Sequence, residues 1–357
     1  MLVVIDKDTV LNKKKLENTY LLEHQSNMSL QEKLKTYPAK YDLSDIHLRS
    51  NQPFAIRENG EIKVFADDVI SRQDIESFWK QSLDKAQYDY LTSNGDLDFA
   101  VVVDGQRFRA NGYYSSYGPS MVLRKIISEI PNIEKLGLPA AAHEAITHKT
   151  GLVLVTGQTG SGKSTSLAAM IDQINAHRAE NIITIEDPIE FVHPAKKSII
   201  SQREVGKDTG SFGKALKSAL RQDPDVILVG EMRDLETISL ALTAAETGHL
   251  VFGTLHASSA SSTITRILDV FPPAQKTQAQ TMLAGSIRLV MSQQLLKKKG
   301  GGRIGCHEVM TGTPAIRNLI REGKTEQIQS TLQTSAKDGM FTMEKCLEGL
   351  KLKKLVE

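Results

Sequence analysis

The chain has 357 residues, a length that allows two domains, and its 40% hydrophobic and 24% charged residues are ordinary for a globular protein. The 44 Lys and Arg residues nearly balance the 42 Asp and Glu residues, and the formal net charge of +2 argues against a protein built to coat nucleic acid. The two cysteines, Cys306 and Cys346, cannot form a four-cysteine zinc site and argue against a disulfide framework, so a reducing compartment is the simplest interpretation.

The N-terminal segment carries no recognisable targeting or membrane signal. The apolar run within Met1–Asp6 is too short for a signal peptide, and the basic run Lys13–Lys15 follows it rather than precedes it. No stretch of the chain approaches the roughly 18 consecutive apolar residues that a spanning helix needs. We therefore expect a soluble, cytosolic protein without a transmembrane segment, one that can still dock on a membrane complex.

The first 130 residues predict an appendage followed by a small α+β domain. Residues 1–40 are polar, with a weakly periodic helical stretch from Leu11 to Leu22, and we interpret them as an N-terminal appendage. Short alternating runs follow in residues 41–130, and the dipeptides Asn59-Gly60 and Asp104-Gly105 between such runs are typical of β-hairpin turns. Two prolines and a glycine within residues 131–139 predict a linker.

The pattern changes in residues 140–357, where continuous apolar runs alternate with helical patterns. The apolar runs are residues 152–155, 182–185, 226–229 and 250–255, and helical patterns begin at Ser164 and Leu235. Runs that are apolar throughout suit strands buried on both faces of a parallel sheet. We therefore predict an α/β fold with a parallel sheet for this second domain.

One run in the second domain satisfies the phosphate-binding consensus G-x-x-x-x-G-K-[ST]. Its candidate ATP-binding residues are Gly157, Thr159, Gly160, Ser161, Gly162, Lys163 and Ser164, with Thr165 next in the chain. Glycines allow the turn that points successive N–H groups at an anion, Lys163 would reach the β- and γ-phosphates, and Ser164 would ligate Mg²⁺. The alternative, a flexible glycine loop, is disfavoured because an apolar strand precedes the run and a helical pattern follows it.

Hydrolysis also requires groups that hold Mg²⁺ and that orient or deprotonate the attacking water. Two acidic candidates follow predicted strands, Glu186 after residues 182–185 and Glu231 after residues 226–229. Open α/β sheets bind ligands at the carboxyl ends of their strands, so both candidates should share an edge with the phosphate loop. Solvated loop carboxylates are the plain alternative. We predict that Glu186 acts on the water and that Glu231 holds Mg²⁺ through water.

Four ordered motifs in this domain resemble those of the secretion and pilus motor ATPases. They are Ile183–Glu190, similar to an acidic box; Val226–Asp234, similar to an atypical Walker B with Gly230 in place of Asp; Gly248–His256, similar to a histidine box; and Gly312–Ile320, which carries the AIRNLI signature of the pilus retraction branch. With Ser44–Leu48 and Arg107–Arg109, the resemblance covers about residues 41 to 357. The chain thus resembles the type IV pilus retraction ATPases.

The resemblance implies a homohexameric ring of subunits, each with a RecA-like C-terminal P-loop domain and a smaller PAS-like N-terminal domain. ATP would lie between the two domains, and arginines would complete its binding site; the candidates are Arg107, Arg109 and Arg124. The alternative is that these arginines are only surface charges. Arg107 and Arg109 share a face of a predicted strand because they are two residues apart. His256 would contact the γ-phosphate, and His249 is a weaker candidate.

The AIRNLI segment predicts a helix with one apolar side, and Pro314 suits its first turn. The residues that recur at helical spacing are Ala315, Ile316, Leu319 and Ile320. On the plain interpretation these four are core residues. Arg317 and Asn318 point elsewhere and have no evident catalytic role. We predict that this helix couples ATP hydrolysis to movement of the pilus machinery or holds the ring interface that carries the movement.

Together these features predict an ATPase that powers type IV pilus retraction and twitching-type motility, with ATP and Mg²⁺ as ligands. Its partner would be an inner-membrane pilus platform protein, and it would lie at the cytoplasmic face of that membrane and bind no nucleic acid. The alternative is an ATPase of a specialised pilus-assembly or type II/IV secretion system, whose usual four-cysteine insert is missing here. A nucleotide-dependent regulator is disfavoured by the retained Lys163, Glu186 and Glu231, and a DNA translocase by the near-neutral charge.

Overall fold

The computed structural model of the protein describes residues 28–58, 60–126 and 129–357. The chain divides between residues 128 and 129 into two compact units. The predicted Leu11–Leu22 helix, and Asn59 of one predicted turn, lie outside the described residues. In the other predicted turn, Asp104 and Gly105 have φ of +53° and +78° and connect two paired strands, so this hairpin is confirmed.

In the described part of the first unit, helices pack on a six-stranded antiparallel sheet. The helices are α1 (Leu30–Lys40), α2 (Arg72–Ser82) and α3 (Lys85–Asn94). The strands are β1 (Leu43–Arg49), β2 (Gln52–Glu58), β3 (Glu61–Ile70), β4 (Asp96–Val103), β5 (Gln106–Ser115) and β6 (Gly118–Lys125). They lie in the order β3-β2-β1-β6-β5-β4, so β3 and β4 are the edge strands.

Helix α1 is part of the core of this unit rather than of an appendage. Ser29 caps its first turn, and Leu34 and Tyr37 are buried. The Tyr37 ring stacks on Phe54 with centroids 4.4 Å apart, and its hydroxyl donates to Asp68 at 2.7 Å. The structural boundary therefore differs from the one expected at residue 40, because the polar residues between these apolar positions weaken the helical pattern.

The second unit contains a seven-stranded sheet flanked by helices. Its strands are β7 (Gly151–Thr156), β8 (Asn181–Glu186), β9 (Ile199–Glu204), β10 (Val226–Val229), β11 (Leu250–Leu255), β12 (Ile287–Lys297) and β13 (Arg303–Thr311). Its α-helices are α4 (Ile133–Leu136), α5 (Ala140–Ala145), α6 (Lys163–His177), α7 (Phe212–Ala219), α8 (Leu235–Glu246), α9 (Ala260–Asp269), α10 (Pro273–Ser286), α11 (Pro314–Arg321), α12 (Ile328–Thr334) and α13 (Met343–Leu352). Two short 3₁₀ helices, Thr325–Gln327 and Ala336–Asp338, precede and follow α12.

The sheet order β13-β12-β7-β11-β10-β8-β9 confirms the predicted α/β fold with a parallel sheet. Each neighbouring pair is parallel except β12 with β13. Strands β7, β10 and β11 are buried at every position, with apolar clusters on both faces of the sheet. The four predicted apolar runs correspond to β7, β8, β10 and β11. The parallel strands end at one edge, which we call the phosphate edge, and begin at the other, which we call the basic edge.

The expected linker, residues 131–139, is folded against the second unit. Asn132 caps α4, and Ile133 and Leu138 are buried in the core of that unit. Gly137 ends the helix with φ of +63°, so the punctuating residues of this segment mark a helix end. Over the described ranges of the chain, no helix combines the length and the apolar character that crossing a bilayer would require.

Candidate functional site

The phosphate loop connects β7 to α6, and its backbone conformation depends on glycine. Gly157, Gly160 and Gly162 have φ of +148°, +78° and +86°, which L side chains rarely adopt. A Cβ atom at Gly157 would lie 2.3 Å from the carbonyl oxygen of Gln293, so a larger residue would displace the loop. Helix α6 begins at Lys163, and its unpaired N–H groups and positive dipole end add to the same anion site.

The loop holds a cation and an unpartnered hydroxyl, which together fit a phosphate group. Lys163 Nζ donates to the carbonyl oxygens of Gly157 at 2.9 Å and Gln158 at 3.0 Å, so the ammonium is held beside the loop. Burial lowers the pKa of Lys163, while Glu231 and Glu190 act in the opposite direction. Ser161 Oγ is buried without a hydrogen-bond partner among the described residues.

Gln293 of β12 fixes the phosphate loop in place, and sequence reasoning missed it. Its Nε2 donates to the carbonyl oxygen of Ser161 at 2.7 Å, and its Oε1 accepts a bond from the Ser166 hydroxyl at 2.8 Å. The side chain is buried, so both bonds are shielded from water. The available signal was the polar run Ser292–Gln294 between apolar residues of β12, since a polar residue that is buried there needs a partner.

Glu186, the last residue of β8, carries a desolvated carboxylate. Thr184 Oγ1 donates to its Oε1 at 2.6 Å, and Gln202 Nε2 donates to the same atom at 3.1 Å. Burial raises the pKa of Glu186, and these two hydrogen bonds oppose the rise because they favour the ionised form. A carboxylate with a raised pKa that remains ionisable is suited to accept a proton from water.

Glu231 follows β10 and contacts two basic side chains. Its Oε1 lies 3.2 Å from Nε2 of His256, which follows the neighbouring strand β11, and it also pairs with Nε of Arg233. The hydrogen bond to Glu231 raises the pKa of Arg233. The structure thus brings together the predicted Glu231 and His256. Arg233 was missed, although it lies within the Walker B-like motif.

Gly230 allows the two acidic positions to approach each other. A Cβ atom there would lie 3.1 Å from the carbonyl oxygen of Ile185 and 3.2 Å from Cα of Glu186. The Gly230 N–H donates to that Ile185 oxygen at 2.7 Å, and the Thr254 hydroxyl donates to the Gly230 carbonyl at 2.5 Å. A larger residue would push the ends of β8 and β10 apart, which is a physical reason for glycine in this motif.

A cleft of ≈ 1200 Å³ lies beside the phosphate loop. Its lining includes Gly157, Thr159, Arg233 and His256, together with Arg266 of α9. This volume is large enough for a nucleotide-sized ligand. Ser164 and Thr165, in the first turn of α6, are half-buried.

No group of three or more His, Cys, Asp or Glu side chains suitable for a metal ion occurs in the described ranges. Magnesium is ordinarily bound through one or two protein ligands, waters and substrate phosphates. The Ser164 hydroxyl and the Glu231 carboxylate are ligand groups of the kind that such a site requires, and both lie at the phosphate edge.

The three candidate arginines share one face of the sheet in the first unit. Arg109 of β5 and Arg124 of β6 are directly opposite each other, and Arg107 lies two residues before Arg109 on the same face. Arg124 Nε donates to Asp45 at 2.8 Å, and Arg109 pairs with Asp98 at 3.4 Å. The Arg109 and Arg124 side chains are 45% and 71% exposed, so both guanidiniums can take an additional anionic partner.

His249 lies at the basic edge, far from His256. It directly precedes β11, its Nδ1 lies 2.9 Å from the carbonyl oxygen of Ala244, and its own carbonyl accepts a bond from Gly151 at the start of β7. The phosphate loop begins after the last residue of β7, roughly 20 Å away at about 3.3 Å per residue. The structure therefore removes His249 from the candidates for a phosphate sensor.

Helix α11 carries the AIRNLI segment, and Thr313 caps it. Ile316 and Ile320 are buried in the core of the unit, and Leu319 packs against the same core. Ala315 is exposed, so the prediction that it lies on the apolar side of the helix is wrong. Of the four predicted positions, only Ile316 and Ile320 are fully buried.

Arg317, which was expected only to point away from the apolar side of the helix, has a main-chain partner in the structure. It is half-buried, and its Nη2 donates to the carbonyl oxygen of Ile287 at 3.3 Å. Asn318 is exposed and donates to Glu322 at 2.8 Å, four residues further along the chain. Of the two polar residues, Asn318 therefore lies on the solvent side as predicted, and Arg317 reaches back to β12.

Comparison with known proteins places this geometry in context. Residues 89–352 match the family model described as type II/IV secretion system protein. The chain is 48% identical over 324 residues to the type IV pilus retraction ATPase PilT of Pseudomonas aeruginosa, covering 90% of this chain and 94% of that protein. It is 47% identical over 319 residues to a twitching motility protein of Neisseria gonorrhoeae, covering 89% and 85%. A crystal structure of the pilus retraction motor PilT with bound ADP superposes with a TM-score of 0.87 and 46% identity, covering 93% of this chain and 95% of that one.

Proposed function

Because the chain belongs to the type II/IV secretion system protein family, we propose that it is an ATP-hydrolysing motor that retracts a type IV pilus. The observation that carries the proposal is the phosphate edge. There a glycine loop with a half-buried lysine lies at the end of the same sheet as a desolvated carboxylate and a second carboxylate paired with histidine. These are the parts that phosphoryl transfer to water requires.

The phosphate loop binds the nucleotide by position and charge. Main-chain N–H groups of residues 159–165 and the Ser161 hydroxyl donate to the phosphate oxygens, and Lys163 exchanges its contacts with loop carbonyls for the β- and γ-phosphates. Ser164 and, through water, Glu231 would hold Mg²⁺, which would neutralise charge on the phosphates. His256, held by Glu231, lines the same cleft as Gly157 and Thr159 of the loop, where it would contact the γ-phosphate.

Glu186 orients the attacking water and accepts its proton. Its raised pKa places the carboxylate closer to the working pH than an ordinary glutamate, and Thr184 and Gln202 keep it ionised and fixed in direction. Arg233 pairs with the Glu231 carboxylate, which is the same group that would hold Mg²⁺. Glu186 at the end of β8 is thus the base, and Glu231 after β10 would be the metal ligand.

Arg107, Arg109 and Arg124 complete the site on the transferring phosphate, in a hexamer of two-domain subunits. Their shared face and the exposure of two of them support this role. An arginine on a transferring phosphate is worth roughly 10³–10⁵ in rate in other P-loop enzymes. If the arginine comes from a neighbouring subunit, mixed rings of Lys163→Ala and Arg124→Ala chains regain activity, whereas sites built from one chain regain none.

The motor acts at the cytoplasmic face of the inner membrane, on the platform protein of the pilus. The experiment is a deletion strain scored for surface pili and complemented with the wild type or with Lys163→Ala. Loss of a retraction motor leaves excess pili, which the wild type corrects and the variant does not. A strain without pili would identify an assembly motor instead, and normal pili with impaired secretion would identify a secretion ATPase.

A further inference from the structure

Two arginines meet at the basic edge of the second unit, opposite the phosphate edge. Arg288 lies near the start of β12 and Arg317 in the middle of α11. Arg288 Nη1 and Arg317 Nη2 lie 3.4 and 3.3 Å from the same acceptor, the carbonyl oxygen of Ile287. Two guanidinium groups are therefore neighbours around one oxygen atom.

A bulge and two glycines near the start of β12 position this pair of arginines. The pairing of β12 with β7 is interrupted by a bulge at Arg288, and bulges re-aim side chains. Gly151, with φ of +125°, makes room for the arginine, since a Cβ atom there would lie 2.6 Å from Arg288 Cγ. Gly312 does the same on the other side, where a Cβ atom would lie 2.1 Å from the Ile287 oxygen and 3.4 Å from Arg317 Nε.

The positive charge of this pair is not compensated within the described ranges of the chain. Arg288 donates to the main-chain oxygens of Gly285, Ser286 and Ile287, and neither arginine forms an ion pair with a described carboxylate. Arg317 Nε is buried without a hydrogen-bond partner. Partly buried like charges disfavour one another, so an anion from outside the chain would stabilise both.

The pKa values of the groups around the pair reflect its positive potential. Burial and the charge of Arg317 lower the pKa of Arg288. Burial and the same two arginines lower the pKa of His148, which the exposed Glu144 only partly offsets. An imidazole that is neutral at physiological pH leaves a hydrogen-bonding ring beside the pair without adding a third charge.

We propose that Arg288 and Arg317 form the receptor for a carboxylate on an acidic segment of a protein partner, the component of the pilus machinery that the motor drives. Charge complementarity selects an acidic partner, and the guanidinium fork matches a carboxylate in bidentate geometry. Both arginines are half-buried, so a partner side chain reaches them from solvent while the protein holds them in place. The identity of the partner rests on the proposed function; the carboxylate receptor itself does not.

The first experiment measures binding of a fluorescein-labelled hexaglutamate peptide to the full chain at low salt. Saturating ADP and Mg²⁺ keep the phosphate loop filled. Arg288→Gln and Arg317→Gln should each weaken binding at least about tenfold, because a charge-assisted hydrogen bond is lost. Arg317→Lys should be intermediate, since it keeps the charge without the fork. Arg321→Gln, an equal change of charge at an exposed position of the same helix, should stay within about twofold.

Two outcomes of this measurement overturn the receptor: no binding by the wild type, or equal weakening by Arg321→Gln and Arg317→Gln, which would indicate attraction to net charge alone. Thermal unfolding of the variants supplies the remaining check. If Arg317→Gln and Arg317→Lys both lower the melting temperature substantially without peptide, the pair serves the fold and the proposal fails.

The second experiment identifies the partner. In cells, Arg317→Gln should abolish retraction while the purified ring keeps its size and its ATPase rate within about twofold, because the pair lies away from the phosphate edge. Dissociation of the ring would make a second copy of this chain the occupant and overturn the partner assignment. If deletion of the gene leaves pili unchanged, the proposed function fails, and the peptide measurement still decides whether the receptor exists.

Discussion

The phosphate edge and the basic edge belong to the same sheet, yet their charges are balanced differently. At the phosphate edge Glu231 faces His256 and Arg233, Glu186 accepts two hydrogen bonds, and Lys163 lies on loop carbonyls. At the basic edge two guanidiniums share one carbonyl oxygen. The charged groups of the first arrangement have partners within the described part of the chain, whereas the positive charge of the second would be balanced only by a group from outside. A motor that hydrolyses a nucleotide and moves a partner needs both a nucleotide site and a partner-binding site.

Lys163→Ala tests the phosphate edge most severely. Removing the charge beside the β- and γ-phosphates should lower the ATPase rate by roughly 10²–10³-fold, as for loss of one preorganised electrostatic group. The melting temperature should change little, because Nζ contacts only loop carbonyls. Lys217→Ala, at an exposed position of α7, is the matched control. Comparable ATPase activity in the two variants would contradict the assignment of the loop.

Gly230→Ala tests how closely the two acidic positions must approach. The added methyl group meets the Ile185 oxygen at 3.1 Å and Glu186 Cα at 3.2 Å, both main-chain atoms of β8. Overpacking of this kind costs about 1–3 kcal/mol, and the displaced carboxylate should lower kcat by about tenfold. Gly210→Ala, where a Cβ atom meets nothing within 4 Å, should change neither the melting temperature nor kcat. Equal behaviour of the two variants would mean that the strand ends adapt freely.

Gln293→Ala separates binding from chemistry at the phosphate edge. It removes two buried hydrogen bonds that hold the loop, each worth about 1 kcal/mol, so KM for ATP should rise about tenfold while kcat falls less. Its exposed neighbour Gln294 provides the control as Gln294→Ala. A fall in kcat with unchanged KM would show that Gln293 acts on the reaction rather than on the loop.

Thr184→Val should move the pH dependence of the ATPase reaction. The Thr184 hydroxyl favours the ionised form of Glu186, so its loss raises the pKa of that carboxyl further. A base must be ionised, so the acid limb of kcat should move to higher pH, by about one unit or less. The stability that protonated Glu186 contributes is lost as pH rises through its folded pKa, so that loss also moves to higher pH. Thr243→Val, at an exposed position of α8, is the control, and a shift toward lower pH would contradict the role of the hydroxyl.

Local patterns predicted the parts of the fold that depend on neighbouring residues in the chain. Strands buried on both faces, such as β10 and β11, appear as uninterrupted apolar runs, and the phosphate loop appears as a fixed spacing of glycines and lysine. Helix α1 was missed because polar residues and Pro38 weaken its pattern, although it supplies Tyr37 to the core. The motif resemblance supplied a role for His256 that periodicity alone does not give.

Contacts between distant segments could not be predicted in this way. Gln293 and Ser161 are 132 residues apart in the chain, and nothing near either residue indicates the other. The contact of Arg317 with the carbonyl oxygen of Ile287 was not predicted either, because Ile287 lies 30 residues earlier in the chain. For the same reason the sequence gives no sign that Arg288 and Arg317 meet.

Strand β12 passes from one edge of the sheet to the other, and this gives it a mechanical property. Arg288 and Gln293 are five residues apart on it, roughly 17 Å at about 3.3 Å per residue. Hydrogen bonds to β7 on one side and β13 on the other prevent the strand from stretching. Because a β-strand is already nearly extended, a displacement of Gln293 along the strand axis would also displace Arg288. Strand β12 is thus a stiff mechanical link between the phosphate edge, where the nucleotide would bind, and the basic edge, where the partner would bind.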